Sequence, residues 1–198
     1  MGNLMPQNLL PFGGEMLLFE NCFTKEESDY YYDTLLHEIP WKLDKIVVFG
    51  KTYDQPRLTA FGDAGTHYAY SGIEMPATLW TDTLKRIKEK VETVTGTTYN
   101  IALLNLYRNG SDKVGWHRDN EKGMGIHPTI ASVSLGATRK FQIKKFKEEK
   151  GKLLTFNLEH GSVLLMKGDM QNVWSHQVPK TSKPVDARIN ITFRKIIK

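Results

Sequence analysis

The chain has 198 residues, 40% hydrophobic and 25% charged, which suits one domain with a sizeable core and excludes a disordered polyelectrolyte. No apolar run approaches the roughly 20 residues that span a bilayer, and the single cysteine, Cys22, excludes an internal disulfide and fits a reducing compartment. The formal net charge of +5 and the pI near 9.1 permit an acidic partner such as nucleic acid without requiring one.

The opening MGNLMPQNLLPFGG is rich in Pro and Gly and reads as an arm over 1–14. It has neither a charged n-region nor a long apolar stretch, as a secretion signal would, and Pro6 breaks a myristoylation pattern. Cys22 beside Phe23 reads as buried packing. Thr24-Lys25-Glu26-Glu27 fits a capping box. A helix follows to about Ile39, with Tyr31, Leu35 and Ile39 at helical spacing and Pro40 as the stop. Over 41–75, short apolar pieces broken by Gly and Pro predict strands and turns. Pro76 opens a second helix whose core stripe is Trp80, Leu84, Ile87, Val91 and Val94, and Gly96 ends it. From Tyr99 the pattern is β, with strands predicted over 99–108, 129–136, 139–146, 152–158, 162–167, 172–178 and 187–195. Two helices followed by a run of short strands predict an α+β chain, a β-sandwich or jelly roll backed by helices.

Side chains alternate faces along a strand. In Ala187–Arg194, Ile189, Ile191 and Phe193 share one face, and Arg188, Asn190, Thr192 and Arg194 the other. The polar face either meets solvent or grips an anion, since two guanidinium groups match a dicarboxylate. In Asn100–Tyr107, Asn105 and Tyr107 share the face of Ile101 and Leu103, and they need polar partners if buried.

Gly115-Trp116-His117-Arg118-Asp119-Asn120-Glu121 places a histidine and an aspartate two residues apart. With 6 histidines and 22 acids in the chain, chance supplies about 0.7 such pairs, so the spacing alone is weak. A non-haem Fe(II) site needs two histidines and one carboxylate on one face of the metal. Two ligands two residues apart on a strand supply part of that geometry. His37 falls on the first helix, His67 in the irregular region, His127 in a loop before Pro128 and His160 in a turn. His176, in a strand-like segment shortly before the arginine strand, is the remaining candidate.

With those residues in hand, the chain resembles the AlkB family of Fe(II)/2-oxoglutarate dioxygenases. The motifs are HRD at 117–119, the distal His176, and RINITFR at 188–194, which matches the family pattern R-x-N-x-T-x-R. VFGK at 48–51, FGDAG at 61–65, YSG at 70–72 and HGSVLLM at 160–166 are shared too, and the likeness runs from about Phe19 to Ile197. Among the branches, the duplex-DNA alkylation-repair branch of animals is the most similar.

The resemblance implies a single domain over 1–198, with a double-stranded β-helix core over 99–195, supporting N-terminal helices, and a nucleotide-recognition lid over 41–75. It implies that His117, Asp119 and His176 bind Fe(II). Arg188 and Tyr107 would hold the distal carboxylate of 2-oxoglutarate, with Asn105, Asn190, Thr192 and Arg194 lining the rest of that pocket. Tyr68, Tyr70 and Ser71 would belong to the damaged-base pocket, with Tyr70 stacking on the base opposite His117. Asn120 and Glu121 would approach the base edge. Phe49, flanked by Gly50 and Lys51, would fill the gap left by a flipped base.

The implied activity is oxidative demethylation of N1-methyladenine and N3-methylcytosine type lesions. It couples 2-oxoglutarate decarboxylation, with O2 consumed and ascorbate as a stimulant, to methyl hydroxylation and formaldehyde release. The implied partner is alkylated DNA, duplex or single-stranded, or RNA, met by a monomer away from membranes. The implied compartment is the cytoplasm, at the nucleoid in a bacterium, or the nucleus in a eukaryote.

Two departures bear on specificity. Position 120 is Asn where the animal duplex branch carries an acid. The basic segment from Arg139 to Lys147, a phosphate contact in this reading, precedes a hairpin shorter than in that branch, and Lys180 and Lys183 only partly reproduce another basic cluster. Three alternatives stand beside the repair enzyme. One is an AlkB-type demethylase acting mainly on RNA or other modified bases, and another is a non-catalytic nucleic-acid-binding module. A zinc or manganese jelly-roll enzyme is the third, and it leaves the Arg188 and Arg194 pair without a job.

Overall fold

The helices form where the sequence supplies caps. The computed structural model describes residues 6–41, 45–48, 51–54, 58–70, 73–148 and 151–197, with side chains described over 6–41, 60–66, 77–121, 123–148 and 151–197. In chain order the elements are β1 (Glu15–Phe19), α1 (Lys25–Glu38), β2 (Lys45–Val48), β3 (Lys51–Asp54), β4 (Leu58–Gly62), β5 (His67–Tyr70), β6 (Ile73–Pro76), β7 (Thr78–Leu79) and α2 (Asp82–Thr95). They continue as β8 (Ile101–Tyr107), β9 (Val114–His117), β10 (Ile130–Gly136), β11 (Arg139–Lys145), β12 (Leu154–Leu158), β13 (Ser162–Lys167), α3 (Met170–Val173), β14 (Trp174–Val178) and β15 (Arg188–Arg194).

In α1 the Thr24 hydroxyl accepts from the Glu27 amide at 3.2 Å, and the Glu27 carboxylate accepts from the Thr24 amide at 2.8 Å, the reciprocal capping box. Glu27 also accepts from Lys90 at 2.8 and 2.6 Å, tying α1 to α2. α2 begins later than Pro76. Pro76 ends β6, β7 intervenes, and Thr81 caps the helix because its hydroxyl can accept from the Leu84 amide at 3.2 Å. Gly96, at φ +66°, closes it.

Seven strands form the larger sheet, in the order β1-β13-β10-β15-β8-β4-β7, and four form the smaller, β12-β11-β14-β9. β2 pairs with β3 and β5 with β6 as separate two-stranded sheets within the expected lid. One face of the larger sheet packs on the helices. Leu104, Val133, Leu165, Ile191 and Phe193 meet Leu35, Leu84, Ile87 and Val91 there. Each such fully buried side chain contributes about 1.5–3 kcal/mol. The other face turns to the smaller sheet, where Met16, Tyr107, Ile130 and Leu164 meet Phe141, Ile143, Leu158 and Trp174. This is the jelly-roll sandwich that the strand pattern predicts. Along β11 the alternation is visible: Arg139, Phe141 and Ile143 are buried, while Lys140 is exposed.

Two junctions hold the helical layer to the sheets. The Gly136 amide donates to His160 Nδ1 at 2.8 Å, so Nε2–H donates to Asp29 on α1 at 3.1 Å. Gly161, at φ +78°, lets α1 come close, since a Cβ there would stand 2.4 Å from the Ser28 hydroxyl. The segment read as an arm is tied down from Asn8. Its side chain accepts from the Leu10 and Met16 amides at 3.1 and 2.9 Å, Leu10 is buried, and the Phe12 carbonyl accepts from Trp174 Nε1 at 3.1 Å. No described helix is long and apolar enough to cross a membrane.

Candidate metal centre and cosubstrate cavity

His117 ends β9, and the antiparallel ladder sets it directly opposite His176 on β14. Their rings meet edge to face, with centroids 4.2 Å apart. Asp119 lies two residues past the strand, so the ladder does not hold it. The expectation that His117 and Asp119 share a strand face is therefore corrected: the strand supplies the histidine and the segment after it supplies the carboxylate. Asp119 Oδ1 stands 3.7 Å from His117 Nε2, and Oδ2 3.8 Å from His176 Nε2. One ligand atom from each of the three residues lies within 4.8 Å of the others.

The chemistry of these donors suits a metal. His117 Nδ1 sits 2.8 Å from the Gly115 carbonyl, which can only accept, so Nδ1 carries the proton and Nε2 keeps its lone pair. Burial pushes the His176 imidazolium down to about 3, reinforced by His117, so the ring is neutral. Burial would raise the Asp119 carboxyl, but Arg194, His176 and His117 together outweigh it and hold it at about 2. Two imidazoles and one carboxylate are the donor set of a facial non-haem Fe(II) site. Arg194 Nη2 lies 3.2 Å from Asp119 Oδ1 and pairs with the carboxylate.

A cavity opens from this triad between the sheets. Its walls include Leu103, Asn105, Tyr107, Ser132, Arg188, Asn190, Thr192 and Arg194, so the residues predicted for a cosubstrate pocket converge on one space. β15 lies beside β8 with Arg188 opposite Tyr107 and Asn190 opposite Asn105. Arg188 and Arg194 are six residues apart, about 20 Å along an extended strand. They stand at opposite ends of the strand, so they do not grip one carboxylate together.

Arg188 is the residue whose surroundings best fit an anion. It is 1% exposed, and Nη2 donates to Ser134 Oγ at 2.9 Å, while Nε and Nη1 meet no protein acceptor. Its guanidinium lies 5.2 Å from the Tyr107 ring centroid. Burial pushes its pKa down against the pull of Tyr107. Burying a donor unpaired costs about 1–3 kcal/mol, more for a charged group, and a carboxylate offers the matching pair of acceptors. By contrast Asn190 is satisfied by the protein. Its Nδ2 donates to Ser132 Oγ at 2.8 Å and to the Val133 carbonyl at 2.9 Å, and its Oδ1 accepts from Thr192 at 3.2 Å.

Other predicted residues lie elsewhere. Asn120 is exposed and Glu121 half-buried, at the start of the turn after Asp119, and neither lines the triad cavity. Phe49, Gly50 and Ser71 lie outside the described residues, as do the side chains of Lys51, Tyr68 and Tyr70. Arg139 is corrected. It is 3% exposed and donates to the carbonyls of Asn109, Asp112 and Pro179 at 3.1, 2.9 and 2.7 Å, so it staples loops and does not offer itself to a phosphate. Cys22 packs on the core, and burial raises its thiol to about 11, which leaves it unreactive.

Three contributors escaped the sequence reading. Ser132 and Ser134 alternate along a strand that is otherwise apolar, the same signal that marked the arginine strand. Gln171, fully buried, accepts from the Asp119 amide at 2.9 Å. Its position gave no signal.

A jelly roll that holds two histidines, an aspartate and a buried arginine around one cavity defines an Fe(II)/2-oxoglutarate-dependent oxygenase. Residues 15–194 match the 2OG-Fe(II) oxygenase superfamily, and the chain belongs to it. Its relatives are AlkB homologues. It is 39% identical over 199 residues to the human alpha-ketoglutarate-dependent dioxygenase alkB homolog 3, covering 96% of this chain and 69% of that protein. It is 38% identical over 186 residues to the human DNA oxidative demethylase ALKBH2, covering 88% of this chain and 71% of that one. The ALKBH2 of Arabidopsis thaliana is 36% identical, over 95% of this chain and 68% of its own. The solved structure of OsALKBH1 superposes with a TM-score of 0.64 at 17% identity, over 96% of this chain and all of that one, a likeness of fold.

Proposed function

We propose that the protein removes methyl groups from alkylated DNA bases of the N1-methyladenine and N3-methylcytosine type. The observation that carries this reading is the match to DNA oxidative demethylases across 88% of the chain, joined to a metal triad and a buried arginine in one cavity. Bound Fe(II), 2-oxoglutarate and O2 supply hydroxylation of an N-linked methyl carbon, with succinate, carbon dioxide and formaldehyde as products. His117, Asp119 and His176 hold the metal, Arg188 and Tyr107 hold the distal carboxylate, and Arg194 orients Asp119.

The base pocket is assigned to residues of the expected lid and of the segment after Asp119. Tyr70, with Tyr68 and Ser71, stacks on the flipped base, worth about 1–3 kcal/mol. Glu121, with Asn120, faces the base edge, where a carboxylate favours a cationic lesion. Phe49, with Gly50 and Lys51, fills the space the base leaves. Exposed Lys140, Lys180 and Lys183 favour a polyanion.

The test is incubation with Fe(II), ascorbate and 2-oxoglutarate on a duplex oligonucleotide bearing one N1-methyladenine, read by mass spectrometry beside matched single-stranded DNA and RNA. Loss of one methylene mass from DNA that requires both iron and 2-oxoglutarate is the expected result. Turnover confined to RNA would overturn the DNA reading.

A further inference from the structure

We propose that Gln171 is a positioning residue for the metal centre, its amide oxygen holding the backbone of Asp119 where the β-ladder has ended. This rests on the triad being a metal site. His117 and His176 are fixed to each other by strand pairing. Asp119 has no such support, because it lies beyond β9 in a stretch without regular structure. Arg194 fixes its carboxylate at 3.2 Å. The remaining freedom is that of the main chain, and the Asp119 amide donates to Gln171 Oε1 at 2.9 Å.

The surroundings fit a dedicated anchor. Gln171 has no exposure to solvent, and its Nε2 donates to Met166 Sδ at 3.6 Å, which aims the amide oxygen at Asp119. The Gln171 main-chain carbonyl accepts from Arg118 at 3.4 Å, while the Arg118 guanidinium lies 3.6 Å from the Phe146 ring centroid. One residue thus braces both Arg118 and Asp119. Gln171 also sits in α3, which leads directly into β14. The element that carries His176 is thereby coupled to the carboxylate that must share its metal. An amide is suited to this place: it accepts from the amide N–H without adding a charge beside the ligand carboxylate.

The full chain is titrated with Co(II) alone, followed by visible absorption, for the wild type, Gln171→Met and Gln171→Glu, and each metal-free protein is melted by circular dichroism. Partners of metal ligands are worth roughly 10–100-fold in metal affinity. Gln171→Met, with similar volume and no acceptor, is expected to weaken Co(II) by that factor while melting cooperatively. Gln171→Glu keeps an acceptor oxygen and is expected to bind Co(II) more nearly as the wild type does. Unchanged Co(II) affinity in Gln171→Met, with or without a lower melting temperature, would make the residue packing only and overturn the proposal. If Gln171→Met does not fold, Gln171→Glu decides: retained affinity sustains the role, and affinity lost in a folded protein overturns it. A wild type that binds no Co(II) would overturn the metal site itself.

Discussion

Replacing Arg188 by methionine tests the cosubstrate cavity through stability, because the effect has opposite signs with and without the ligand. In the free protein the buried guanidinium leaves Nε and Nη1 without acceptors, and removing two such donors recovers about 2–6 kcal/mol. The substitution also loses the charged hydrogen bond to Ser134 and the contact with Tyr107, together about 2–5 kcal/mol. Methionine keeps most of the volume. The midpoints of the two ranges differ by less than about 1 kcal/mol, so ligand-free Arg188→Met should melt within about 5 °C of the wild type. With 2-oxoglutarate at about 100 times its dissociation constant, the wild type gains about 2.7 kcal/mol. For a chain of this size that is roughly 5–11 °C. Arg188→Met should gain almost none of it, because losing one partner of a buried charge pair costs about 2–5 kcal/mol of binding. The assay is thermal melting under anaerobic conditions with Mn(II), with and without 2-oxoglutarate. A variant that collapses without ligand and still gains the full shift would show that Arg188 supports the core and not the cosubstrate.

His176→Ala should reduce succinate formation to background while the circular dichroism spectrum is kept, and full activity would remove His176 from the ligand set. Arg139→Met should lower the melting temperature by at least about 9 °C, from about 4.5 kcal/mol or more for three charge-assisted hydrogen bonds of about 1.5–3 kcal/mol each. It should leave the salt dependence of DNA binding as it was, whereas a phosphate contact would reduce that slope by about one. The Glu27 carboxyl lies below its usual 4.5, held down first by its hydrogen bond from Lys90 and then by the Thr24 amide. A depressed acid stabilises above its unfolded value and loses that contribution as pH falls through the folded one. Glu27→Gln should therefore melt lower than the wild type at neutral pH, with the gap closing below pH 4.5; a gap that stays constant with pH would refute the coupling.

What was legible in the sequence was local. The capping box at Thr24, the stripe of Leu84, Ile87 and Val91, and the alternation of Arg188–Arg194 are each a property of consecutive residues, and each appears in the fold. The short elements were not legible. β9 has four residues, two of them Gly115 and Trp116, and no inward apolar alternation marks it; its existence depends on pairing with β14. β7 has two residues and is held by a parallel pair with β4. β1 was missed because its partner, β13, lies far along the chain.

The same division runs through the metal centre. The histidines and the carboxylate were legible as residue types, but the means of holding them was not. Gln171 is 52 residues from Asp119, and the carbonyls that Arg139 grips are 27 to 40 residues away. No local pattern encodes such partners. The physical consequence is an asymmetry among the ligands. His117 and His176 cannot separate without breaking a ladder, whereas Asp119 is placed by two side chains, Gln171 and Arg194. Changes on the outer face of the smaller sheet, at Gln142 or Gln177, whose amides bond each other at 2.8 Å, leave the histidine pair in register. Changes at Gln171 or Arg194 act on the carboxylate without breaking that ladder. The metal site is therefore most vulnerable at its one ligand outside the sheet, through residues that never touch the metal.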